Sequence, residues 1–95
     1  MNMHNPPHPG EFIREIYLEP YKVSYRTVAQ KLNVSPSTFN RLIKGQSNVS
    51  SEMALRLSKT LGRSPESWLA MQSNYNLWVA RQKVNLDNVE KLAIA

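Results

Sequence analysis

Ser35-Pro36 and Ser64-Pro65 each set a serine directly ahead of a proline, and behind each pair apolar residues recur every three or four positions. Such a pair is a helix start. The serine hydroxyl accepts one of the amide protons that a first turn leaves free, and proline, which has no amide proton to lose, is best tolerated at the first helical position. Ser24 offers the same cap without the proline, as does Ser50 or Ser51. The stops are equally local: Pro20 closes the first apolar stretch, Asn33 the second, Gly45 the third and Gly62 the fourth. Gly and Asn are the residues that a left-handed helix end favours.

So punctuated, the chain reads as five helices without a strand. Their apolar faces are Phe12, Ile13, Ile16, Tyr17 and Leu18; Val28, Ala29 and Leu32; Phe39, Leu42 and Ile43; Met53, Ala54, Leu57, Ser58 and Leu61; and Trp68, Leu69, Met71, Tyr75, Trp78 and Val79. The expected organisation is an irregular arm over residues 1–8, one all-α domain over 9–83 and a tail over 84–95. In the tail Leu86, Val89 and Leu92 keep helical spacing, with Asp87 and Glu90 as a capping-box-like start, so a sixth short helix forms there only if it docks.

With 95 residues, 41% of them apolar, there is material for one modest core. The absence of cysteine excludes disulfides, thiolate nucleophiles and Cys-based zinc sites. No apolar run approaches a membrane span and the N-terminus lacks the pattern of a secretory signal, so the expected compartment is the cytoplasm. The net charge of +5 is concentrated. From Pro20 to Ser51 there is no acid, while Lys22, Arg26, Lys31, Arg41 and Lys44 all fall there; the remainder balances seven cations against seven acids. A segment free of carboxylates suits approach to a polyanion, because a carboxylate beside a phosphate cancels a neighbouring cation. A merely solvated cationic surface is the alternative reading.

Both features meet in residues 27–45, where two short helices flank Asn33-Val34-Ser35. Ala29 permits a close crossing, Asn33 can take the left-handed turn position and Val34 can plug the corner. This is a helix-turn-helix pattern. If Phe39 and Leu42 face inward, Ser37, Asn40, Arg41 and Lys44 face outward. In that docking mode the start of the second helix enters the major groove, making Pro36, Ser37, Asn40 and Arg41 the candidate base readers. Arg41 suits guanine and Asn40 adenine. Ser24, Tyr25 and Arg26 on one side, and Lys44, Gln46, Ser47 and Asn48 on the other, are placed for phosphates. An ordinary helical hairpin with a wet polar face remains the competing reading.

These residues also resemble a known family. His8-Pro-Gly-Glu-Phe-Ile-Arg-Glu-Ile-Tyr-Leu-Glu-Pro20, Val34-Ser-Pro-Ser-Thr-Phe-Asn-Arg-Leu-Ile-Lys-Gly45, Met53-Ala-Leu-Arg-Leu-Ser-Lys-Thr-Leu-Gly62 and Ser64-Pro-Glu-Ser-Trp-Leu-Ala-Met-Gln-Ser-Asn-Tyr-Asn-Leu-Trp78 are similar to the HigA antitoxins, over about His8 to Ala80. The run from Ser64 to Tyr75 is the most diagnostic part. The resemblance implies a five-helix Xre/lambda-repressor-like domain and a bacterial type II toxin-antitoxin system. Its antitoxin would silence a HigB-like mRNA-cleaving toxin and, as a homodimer on a palindromic operator of double-stranded DNA, repress its own operon. The family's recognition helix falls on Ser35 to Lys44. Tyr25, Thr27 and Asn33 depart from the Gln, Glu and Gly frequent in the family at those positions.

The aromatic load of the fifth helix exceeds the needs of a small core, which makes Trp68, Met71, Tyr75 and Trp78 the candidate dimer interface. Closure of the chain's own core is the other reading, and for Trp68 it is at least as strong. His4 and His8 lack nearby acids at ligand spacing, so neither metal nor cofactor is expected. Nor is catalysis, since no phosphate loop, cysteine or paired histidine offers a mechanism. A repressor without a toxin partner, or an interaction module without DNA, would use the same fold. The apolar end Leu92-Ala-Ile-Ala95 is a candidate protease handle.

Overall fold

Every serine expected to open a helix does so. Ser24 Oγ accepts from the Thr27 amide at 3.2 Å, Ser35 from Thr38 at 3.1 Å, Ser50 from Met53 at 3.1 Å and Ser64 from Ser67 at 3.0 Å. Of the two serines that could start the fourth helix, it is Ser50 that caps. The computed structural model describes residues 5–94; His4, the first half of the arm and Ala95 lie outside them.

Five helices and no strand are present among the described residues. Helix α1 spans residues 9–21, built from Pro9–Ile13, a π-helical turn Arg14–Leu18 and Glu19–Tyr21. Then come α2 (Tyr25–Leu32), α3 (Pro36–Ile43), α4 (Ser51–Leu61) and α5 (Pro65–Lys83). Helices α2 and α3 pack together, with α1 across α3 and with α4 against both α2 and α5.

Three helix ends share one device. Lys22, Asn33 and Gly45 have φ of 54°, 59° and 76°, and each sits in a pair of bonds in which its own amide reaches back three residues and the next amide five. This arrangement satisfies carbonyls that the last turn leaves open. Asn33 and Gly45 are thus the left-handed stops the sequence suggests.

Helix α1 departs from expectation at Pro20, which does not stop it. Proline cannot donate to the Ile16 carbonyl, and its ring would crowd that carbonyl in a regular helix. The chain widens instead, with the Glu19 amide bonding to Arg14 O, and runs on to Tyr21 before Lys22 turns it. The wide turn shifts the face: Leu18 is buried, whereas Ile16, expected inside, is 48% exposed.

The core gathers Ile13, Leu18, Val28, Ala29, Leu32, Phe39, Leu42, Ile43, Val49, Ala54, Leu57 and Trp68. Full burial of side chains the size of Phe39 or Leu57 is worth about 1.5–3 kcal/mol each. Ala29 is fully buried and Val34 packs on the core edge, as a tight corner between α2 and α3 requires. After Lys83 the tail does not form the helix its spacing allows. Residues 84–94 carry one turn, with the Val89 amide on Leu86 O and the Asp87 amide on Asn85 Oδ1, and Leu86, Val89, Leu92 and Ile94 lie exposed. With its apolar side chains left exposed rather than docked, so short a segment gains too little to nucleate. No described helix is long and apolar enough to cross a membrane.

Candidate nucleic-acid interface

Helix α3 buries Phe39, Leu42 and Ile43, and that orientation fixes what its other side presents. Pro36, Ser37 and Arg41 are exposed and Asn40 is half-buried. The Ser35 hydroxyl donates to Thr38 Oγ1 at 2.8 Å and lies 3.3 Å from Ser37 Oγ, so the first turn is tied by side chains as well as by its cap. Arg26, Gln30, Asn33, Val34, Ser35 and Pro36 line an open groove between the start of α3 and α2.

The phosphate candidates flank this face. Ser24 and Arg26 are exposed at the start of α2; Tyr25 is half-buried, with the Arg26 guanidinium 5.3 Å from its ring centroid. Lys44 and Gln46 are exposed beyond α3. The ion pairs among the described residues join Arg14 to Glu15 and Glu19, and Arg56 to Glu52. None involves Lys22, Arg26, Lys31, Arg41 or Lys44, which are all exposed, so the charge of the acid-free segment is uncompensated by direct partners.

Ser47 and Asn48 are held from behind by two residues that sequence reasoning did not single out as functional. His8 is buried and caps α1: its Nδ1 accepts the Gly10 amide at 2.9 Å, which places the ring proton on Nε2, and Nε2 donates to Ser47 O at 3.0 Å. Tyr75 meets the imidazole edge-on at 5.0 Å. Burial pulls the His8 pKa below the ordinary 6.5, opposed by the Ser47 hydrogen bond and by Glu11. The expected irregular arm therefore ends in a packed residue. Gln72, also buried, accepts the Val49 amide on Oε1 at 2.8 Å and donates from Nε2 to Asn48 Oδ1 at 3.2 Å and to Asn76 Oδ1 at 3.0 Å. Arg56 is the third such residue, donating to Leu32 O at 2.8 Å and so closing the end of α2. Signals existed for all three: His8 stands at the cap position ahead of Pro9, Glu52 and Arg56 are one turn apart, and Gln72 lies within the Ser64–Tyr75 run.

That run now has a physical account. Ser64 caps α5, the Trp68 indole fills the core and donates to Gly62 O at 2.9 Å, Gln72 holds the loop after α3, and Tyr75 holds His8. Trp68, one of the four residues offered for a dimer interface, is fully buried within its own chain and leaves no surface for a partner. Met71, Tyr75 and Trp78 remain half-buried along α5. No cluster of three or more metal-ligating side chains occurs among the described residues.

The chain belongs to the helix-turn-helix family, whose profile matches residues 13–68. Within that class its likeness is to the HigA-type antitoxins. It is similar to antitoxin GraA in complex with its operator, with 33% identity, TM-score 0.86, and 100% of this chain and 98% of that one covered. It is also similar to the Pseudomonas aeruginosa antitoxin HigA with the higBA promoter (30% identity, TM-score 0.80, 94% and 99% covered). A curated relative, the uncharacterized HTH-type transcriptional regulator YddM of Escherichia coli K12, is 37% identical over 92 residues, 97% of each chain.

Proposed function

We propose that this chain is a DNA-binding antitoxin that occupies a palindromic operator as a homodimer, represses its own operon, and neutralises a HigB-like toxin that cleaves mRNA. The observation that carries the DNA part is the outer face of α3. It combines Ser37, Asn40 and Arg41 with cations that have no ion-pair partner among the described residues, on a helix tied down at both ends. Pro36, Ser37, Asn40 and Arg41 read bases; Ser24, Tyr25, Arg26, Lys44, Gln46, Ser47 and Asn48 contact phosphates. The half-buried Met71, Tyr75 and Trp78 contribute to the contact between copies. Its place of action is the bacterial cytoplasm, and it has no catalytic role. The toxin assignment is supported by the likeness to proteins named antitoxins.

The test is fluorescence-anisotropy titration of the promoter upstream of the chain's own gene, over a salt series, with wild type and Arg41→Ala. Tight, salt-sensitive binding whose preference relaxes at one base position in Arg41→Ala supports the reading; equal affinity for promoter and random DNA sinks it. The alternative is a repressor without a toxin; the relative YddM is named only as a transcriptional regulator. Co-expression with the neighbouring reading frame separates the two, since an antitoxin rescues growth from its toxin and a stand-alone repressor does not.

A further inference from the structure

The two ends of an amide side chain are told apart by their partners, and the loop after α3 contains a chain of amides whose polarity is fixed throughout. It begins at a group that cannot reverse: the backbone N–H of Val49, buried, needs an acceptor and finds Gln72 Oε1 at 2.8 Å. The NH2 of Gln72 must then face the other way. It finds Asn48 Oδ1 at 3.2 Å and Asn76 Oδ1 at 3.0 Å. The oxygen of Asn48 is thereby turned toward the protein, while its NH2, on an exposed residue, has no protein partner among the described residues. A donor is what a phosphate oxygen requires, and an acceptor in its place would repel it.

We propose that Gln72, a residue of α5 remote in sequence from the helix-turn-helix, is a positioning residue for DNA binding: it sets the Asn48 amide donor-outward toward a backbone phosphate. The proposal rests on the DNA-binding reading given above. Gln72 does not touch DNA itself, being buried beneath the loop. It also gives α5, the helix carrying Met71, Tyr75 and Trp78, a direct hydrogen-bonded line to the DNA-facing loop.

The isosteric change Gln72→Glu separates positioning from packing. A carboxylate still accepts from Val49 but cannot donate to Asn48, so the Asn48 amide reverses and turns its oxygen outward. Asn48→Ala removes the donor altogether. Labelled promoter duplex and a random duplex of equal length are titrated with wild type, Gln72→Glu, Asn48→Ala and the double variant, with circular dichroism on each. Asn48→Ala is expected to weaken both duplexes about tenfold, without altering the preference between them, because a phosphate contact carries no sequence information. Gln72→Glu should cost more than Asn48→Ala, because its carboxylate also repels phosphates, and in the Asn48→Ala background only that smaller, charge-borne part of the loss should remain. An equal loss from Gln72→Glu with and without Asn48 overturns the proposal. Wild type that binds neither duplex overturns both this and the DNA-binding reading. A readout on the unmutated chain guards against misfolding of Gln72→Glu. By NMR the Gln72 side-chain amide protons should exchange slowly with solvent and those of Asn48 rapidly until duplex is added; the opposite pattern sinks the assignment.

Discussion

The backbone of Gly10 lies directly against the Leu42 carbonyl, so close that a Cβ on residue 10 would fall on that oxygen, 2.7 Å from the Leu42 carbonyl carbon and 2.9 Å from Ile43 Cα. What it would meet is backbone, which cannot swing aside. Gly10 therefore sets the distance between α1 and the last turn of α3, the helix proposed to enter DNA. Gly10→Ala is expected to destabilise the fold by about 1–3 kcal/mol, the usual range for overpacking. Urea unfolding measures this; a midpoint within error of wild type would show that α1 can shift at no cost.

His8 makes stability depend on pH. Its pKa is lowered in the fold from the ordinary 6.5, chiefly by burial, so below that pH the unfolded chain takes up a proton more readily than the folded one. The stabilising contribution is complete above about pH 6.5 and is lost as pH falls from there through the lower folded value. Protonation of Nδ1 would also remove the acceptor that caps Gly10. Thermal melts of wild type between pH 7.5 and 5 should show falling stability, and His8→Asn should flatten that slope. Parallel curves for the two proteins would assign the pH dependence elsewhere.

Arg56 closes α2 from a distance, through the Leu32 carbonyl. Arg56→Met keeps the stem and removes the donor, and with the side chain one-third exposed, water partly replaces it. The expected loss is about 1 kcal/mol, read from chemical unfolding. If the same loss follows Glu52→Gln, the surface ion pair rather than the α2 carbonyl is what matters.

Lys44 and Arg41 should fail differently. Lys44→Ala, removing a charge placed for a phosphate, is expected to weaken promoter and random DNA alike and to reduce the salt slope by about 0.9 for each phosphate no longer neutralised. Arg41→Ala should instead blur the choice of base. Identical behaviour of the two variants would place both residues on the phosphate backbone.

What could be read from the chain beforehand was whatever depends on near neighbours. Ser24, Ser35 and Ser64 cap within three residues, and the left-handed turn at Asn33 is a property of that residue and its helix, so both were legible. Partners far along the chain were not. His8 binds Ser47 and packs on Tyr75; its place ahead of Pro9 marks a helix cap, but nothing local points to either of those distant partners. Trp68 could equally have faced outward until the fold put Phe12 and Tyr17 around it. The tail illustrates the converse: Leu86, Val89 and Leu92 have the spacing of a helix, but they lie exposed and undocked and no helix forms, as the condition placed on it required.

The wide turn in α1 means that the segment from Ile13 to Leu18 contains two overlapping amphipathic helices. At regular pitch Ile16 would join Phe12 and Ile13 inside and Leu18 would drift outward; with one residue absorbed in the turn, Leu18 goes in and Ile16 comes out. A single absent amide proton, at Pro20, arbitrates between them. The sequence of this helix thus specifies its inner face through a rule of counting, and the residue that sets the count is itself exposed.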